Sequence, residues 1–130
     1  MTAGKWCPLG ANGFVSRHLQ FAFIKTGTVI AGPAQVFVFS GSEPFAVLQS
    51  RVHEMWARQF ASTLKDDLQY TPSDCFETFA FPGEWKSSIA LEQVGREYYD
   101  FRAALMVRNN EGLTKTYNRF HDPDERDPDI

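Results

Sequence analysis

Apolar and polar positions along the chain follow two different periods. From Gly13 to Ile24, Phe14, Val15, Leu19, Phe21, Phe23 and Ile24 give an aromatic and β-branched run with partial alternation, the composition of a half-buried strand. One strand is expected here, or two joined by a kink near Arg17. Thr26 and Gly27 interrupt the run, Thr28 to Ala31 resumes a short extended stretch, and Gly32 and Pro33 punctuate again before Gln35, Val36, Phe37, Val38 and Phe39. Three or four antiparallel strands follow from that spacing.

Beyond Ser42 the period lengthens. Phe45, Leu48, Val52, Trp56 and Phe60 recur at helical spacing, Ser42 suits an N-cap and Pro44 a first turn, so a helix is predicted over 43–61 with that stripe as its core face. Gln49, Arg51, His53, Glu54, Arg58 and Gln59 then make its polar, solvated face. Residues 62–74 lack a stripe and contain Thr71-Pro72, which reads as a surface loop. A short strand is expected over 76–81, ending at Pro82-Gly83. A second helix fits 85–109, with Leu91, Val94, Tyr98, Phe101 and Leu105 on one side and Gly112 as its stop. Gly95 weakens it by about 1 kcal/mol relative to alanine.

These elements predict an α+β fold, a small antiparallel sheet of about four to five strands packed with two main helices. At 130 residues, 43% hydrophobic and 15% aromatic, the chain has material for one core. A single domain over 1–121 is expected, with 122–130 as an acidic, flexible tail. The last residues, Asp127-Pro128-Asp129-Ile130, read like the start of another element, so a piece of a longer chain is expected. No run approaches the roughly 18 apolar residues of a membrane helix, and Met1 to Gly10 lacks a signal pattern. A soluble, cytoplasmic protein is the corresponding expectation.

Cys7 and Cys75 have no neighbouring cysteine and no histidine at zinc-binding spacing, and read as ordinary thiols. The net charge of −3 is concentrated at one end. Asp122, Asp124, Glu125, Asp127 and Asp129 share the last segment with Arg126; without residues 122–130, 12 basic side chains face 11 acidic ones. Such near-neutrality suits a part that works beside a larger, more basic body.

Several chemistries lack their residues. No glycine-rich turn suited to a nucleotide or sulfonium cofactor is present, nor an Asn-Pro-Pro-Tyr-type clamp for a flipped base, nor a Gly-x-Ser-x-Gly elbow. Catalytic, cofactor-binding and metal-ligating residues are therefore expected to be absent from this chain. Asp74 followed by Glu84 and Lys86 has the residue types of a magnesium-dependent nuclease, two carboxylates for a cation and a lysine for water. The alternative is a loop end and the decorated first turn of a helix. His18, His53 and His121 are far apart in sequence and read as solvated or structural.

Other residues suit DNA. Arg17 and His18 lie in the strand region, Arg58 near the end of the first helix, and Lys65, Gln69, Tyr70, Thr71 and Ser73 in the loop. Arginine and lysine reach phosphates or guanine edges, and glutamine pairs with adenine. A solvated structural loop has a similar composition, so this mixture alone leaves a structural or protein-interaction domain open.

Two longer patterns carry a resemblance. The first runs from His53-Glu54-Met55-Trp56 through Lys65-Asp66-Asp67 and Tyr70-Thr71 to Phe79-Ala80-Phe81-Pro82, and the second from Asn109 to Pro123. Together they resemble the C-terminal target-recognition region of the Eco57I-like and MmeI-like restriction-modification adenine-specific DNA methyltransferases, with Ala80 departing from the closing aromatic-proline pattern. The resemblance implies a module that reads bases in double-stranded DNA next to the methylated site. It also implies a bacterial parent enzyme whose catalytic domain, in the same or a partner chain, binds S-adenosylmethionine and methylates adenine N6.

Overall fold

The computed structural model describes residues 9–13, 15–32, 34–64 and 67–130. Strand β1 (Leu9–Gly13) runs between β3 (Ala22–Ile24) and β4 (Ala34–Val38), antiparallel to both, in the order β3-β1-β4. A second antiparallel sheet has the order β2-β6-β5, from β2 (Val15–Ser16), β5 (Ser62–Leu64) and β6 (Asp67–Gln69). The expected single sheet of four to five strands is thereby overturned, because the described residues form two three-stranded patches instead. The long run from Gly13 to Ile24 divides: Val15 pairs with Gln69 and Ser16 with Leu68 in one sheet, whereas Ala22, Phe23 and Ile24 pair with β1 in the other. A bend at Arg17 and His18 follows, at the expected kink. Alternation reports which residues are extended and carries no information about their partner strand.

The helices also differ from the expected pair. The helix predicted over 43–61 is two, α1 (Glu43–Leu48) and α2 (Arg51–Phe60). Ser50 separates them, extended at φ −69° and ψ 155°, and its side chain accepts from the His53 amide at 3.2 Å. Ser42, the expected cap, makes no such side-chain bond. The break turns the second half of the stripe outward. His53, Glu54 and Ala57 are buried, whereas Val52 and Met55 are each 68% exposed and Phe60 49%.

The segment read as a loop forms the β5–β6 hairpin and then a π-helical turn, Pro72–Phe76. The strand expected over 76–81 is absent; Phe76, Phe79 and Phe81 instead meet edge to face along an irregular stretch. A 3₁₀ turn, Trp85–Ser87, precedes α3 (Ile89–Asn109), which starts later than predicted because Ser88 caps it through the Leu91 amide. Asn110, left-handed at φ 50°, closes α3. Gly112 caps the start of α4 (Leu113–Phe120) rather than stopping the preceding helix. Arg108 and Arg119 draw the acidic segment back, Arg108 pairing with Asp127 at 2.6 Å and Arg119 with Glu125 at 2.6 Å.

The core joins both sheets to α1 and α2 through Leu19, Phe21, Phe37, Phe45, Leu48, Ala57, Leu68, Tyr70 and Cys75. Phe21 meets Tyr70 edge to face at 5.8 Å and Phe37 at 6.0 Å. Gln49, released by the helix break, accepts from the Phe21 amide at 2.8 Å and donates to the Leu19 carbonyl at 3.0 Å, pairing two backbone groups ahead of β3.

Gly95 is the point of closest approach between α3 and α1. A Cβ there lies 2.3 Å from the Ser42 carbonyl oxygen, a backbone atom. Gly95→Ala is expected to lower stability by about 1–3 kcal/mol despite the better helix propensity of alanine, because α1 and α3 must part. Denaturant midpoints check this; a variant as stable as the parent chain would refute the close contact.

Candidate nucleic-acid interface

The surface begins at the bend after β2. The Ser16 hydroxyl donates to the His18 carbonyl at 2.8 Å, tightening the turn. Leu19 and Phe21 are buried immediately afterwards, so Arg17 is thrust outward at the apex and is exposed. The His18 ring stacks on His121, at the end of α4, with centroids 4.1 Å apart and planes 9° apart. Arg58 donates to the Arg17 carbonyl at 3.2 Å and to Glu54 at 3.1 and 3.2 Å. Glu54 is buried and also takes Arg51 at 2.8 Å.

Burial lowers the pKa of His18, and the neighbouring His121, Arg58 and Arg17 lower it further. Burial lowers that of His121 as well, while Glu54 works in the opposite direction. Both shifts favour the neutral rings, so the positive charge of this face comes chiefly from its arginines. Most arginines are already engaged. Arg51, Arg58, Arg96, Arg108, Arg119 and Arg126 pair with carboxylates and Arg102 is buried, which leaves Arg17 as the exposed arginine without an acidic partner among the described residues.

Beside Arg17 lies a cleft of about 400 Å³ lined by Arg17, His18, Asn118, His121, Asp122 and Pro123. The fold thus unites Arg17, His18 and Arg58 and adds Asn118 and His121 from α4. Both lie in the Asn109–Pro123 pattern, but nothing in their spacing announces that they meet the bend from the opposite end of the chain.

The loop candidates separate from one another. Tyr70 is fully buried, a correction to its expected place on the DNA face, and its hydroxyl shares a 2.9 Å hydrogen bond with His53 Nε2. Its aromatic body had the better claim on the core, with Phe21 and Phe37 packed edge-on. Gln69 is half-buried in β6. Thr71 donates to Asp74 at 2.8 Å and holds the π-helical turn, on which Ser73 is exposed. Lys65 lies outside the described residues.

The nuclease constellation finds no support in the geometry. Asp74 is engaged by Thr71, Glu84 sits at φ 58° and takes the Ser87 hydroxyl, and Lys86 lies 5.5 Å from the centre of the Trp85 ring. Among the described residues, no three His, Cys, Asp or Glu side chains are placed to hold a metal ion. No helix among them is long and apolar enough to cross a membrane.

A family model described as "MmeI, target recognition domain" matches residues 16–83. The chain belongs to this MmeI target-recognition-domain family. The matched segment runs from the end of β2 to the turn before α3, and so contains the Arg17 bend, α2, Arg58 and the π-helical turn. Helices α3 and α4 lie beyond it. No curated protein and no solved structure matches the chain. Membership makes this a DNA target-recognition module of a restriction-modification enzyme, associated with a methyltransferase, as the resemblance implied.

Proposed function

We propose that this chain selects the DNA site at which a separate catalytic domain acts, reading bases next to the methylated position without a methyl-transfer centre of its own. The catalytic domain, in the same or a partner chain, binds S-adenosylmethionine and methylates adenine N6. Arg17 leads the DNA-facing surface, with His18 and Arg58 behind it and Lys65, Gln69, Thr71 and Ser73 as further contacts. The observation that carries this reading is the exposed Arg17 guanidinium, without an acidic partner among the described residues and set at the apex of a bend inside the matched segment. A guanidinium so placed is available to a phosphate or a guanine edge.

Arg17→Ala in the full-length protein tests it. Affinity for duplex DNA is expected to fall about tenfold, the effect of losing roughly 1.4 kcal/mol of contact, with unchanged melting. A phosphate contact also makes the salt dependence of binding shallower by about one unit. Wild-type affinity and site choice in a folded variant would overturn the assignment. The exposed Val52, Met55 and Phe60 on α2 favour a second reading, a contact with another protein along that helix.

A further inference from the structure

The cleft beside Arg17 is lined by a cation, a carboxylate and an amide together. Asn118 is exposed on the last turn of α4, three residues before His121, and the His18–His121 stack holds that turn against the Arg17 bend. Its amide has no hydrogen-bond partner among the described residues. Asp122 closes the cleft with one oxygen accepting from the Asp124 amide at 2.9 Å, which leaves the other oxygen free to accept.

A seat for a phosphate has a different composition. The carbonyl end of α4 and the Asp122 carboxylate both repel an anion there, whereas an amide that donates and accepts, beside a carboxylate that accepts, matches the mixed pattern of base edges in the major groove. Asparagine pairs in two places with adenine N6 and N7, and a carboxylate accepts from cytosine N4.

We propose that Asn118, with Asp122 beside it, is a specificity-determining residue that reads a base edge in DNA held at Arg17. The recognition surface then extends onto α4, beyond the family-matched segment 16–83. This rests on the DNA-reading role proposed above.

The test is selection of bound sequences from a randomised duplex library by the full-length protein, wild type against Asn118→Ala and Arg17→Ala. Asn118→Ala is expected to relax the preference at one base-pair position by about tenfold and to leave the other positions intact. Alanine on an exposed helical position keeps the melting temperature unchanged. An unaltered preference at every position overturns the inference, and so does a uniform loss of affinity for all sequences, which is the behaviour of a phosphate contact. If Arg17→Ala weakens binding while Asn118→Ala is silent, the inference alone fails. If neither variant changes binding, the DNA-reading role of this face fails with it.

Discussion

Replacing Arg102 with alanine is expected to destabilise the protein by about 3 kcal/mol, the loss of two strong hydrogen bonds and a well-filled site. Arg102 is only 5% exposed. Among the described residues its guanidinium is held by neutral groups, donating to the Phe21 carbonyl at 2.7 Å and to the Tyr117 hydroxyl at 3.0 Å. The rings of Phe45, Tyr98, Tyr99 and Tyr117 surround it with centres 5.1–5.9 Å away. The negative faces of these rings replace part of the lost hydration. Arg102 thereby ties α3 to the backbone beside β3 and to α4. Lysine is no substitute, since a single ammonium lacks the planar fork that spans both acceptors, and Arg102→Lys is expected to lose about 2 kcal/mol. Urea unfolding measures both variants, and a loss below about 1 kcal/mol for alanine would remove Arg102 from its structural role.

Lowering the pH from 6.5 to 4 is expected to remove about 3 kcal/mol of stability through His53 alone. The side chain is fully buried, against Phe79 at 4.5 Å and bonded to Tyr70. Burial brings its pKa down from 6.5 to about 4. Between those values the unfolded chain takes up a proton that the folded chain refuses, so acid favours unfolding. Above the unfolded value neither state is protonated, and below about 4 both are, so the loss is confined to that window. His18 and His121, also lowered, act in the same direction. The comparison that isolates His53 is His53→Gln, whose stability should change less across the window. A histidine resonance titrating near 4 in the native protein is the direct check; titration of all three near 6.5 would refute the buried neutral pair.

Both sites show where reading along the chain succeeds and where it stops. The strand at Gln35–Phe39, the kink at Arg17 and a long helix ending at Asn109 were legible, because dihedral preference, glycine and proline punctuation and apolar period are written locally. A helix continuous from Ser42 puts His53 on the solvated face; the cap at Ser50 restarts the helix and turns His53 inward. Nothing beside Arg102 in sequence announces four aromatic rings gathered from α1, α3 and α4.

The candidate interface divides in the same way. Residue type alone points to Arg17, His18 and Arg58, and the patterns at 53–82 and 109–123 to the target-recognition family. Residue type placed Tyr70 on the surface, but its ring completes the core. By itself the sequence determined a strand near 35–39, the long helix ending at Asn109, the aromatic supply of the core and the family, all properties of residues and their near neighbours. Only the tertiary structure decided that β1 and β2 enter different sheets, that α2 turns His53 inward, and that His121 returns to stack on His18. Those choices depend on which distant surfaces bury one another, and that competition among partners leaves no local periodic trace.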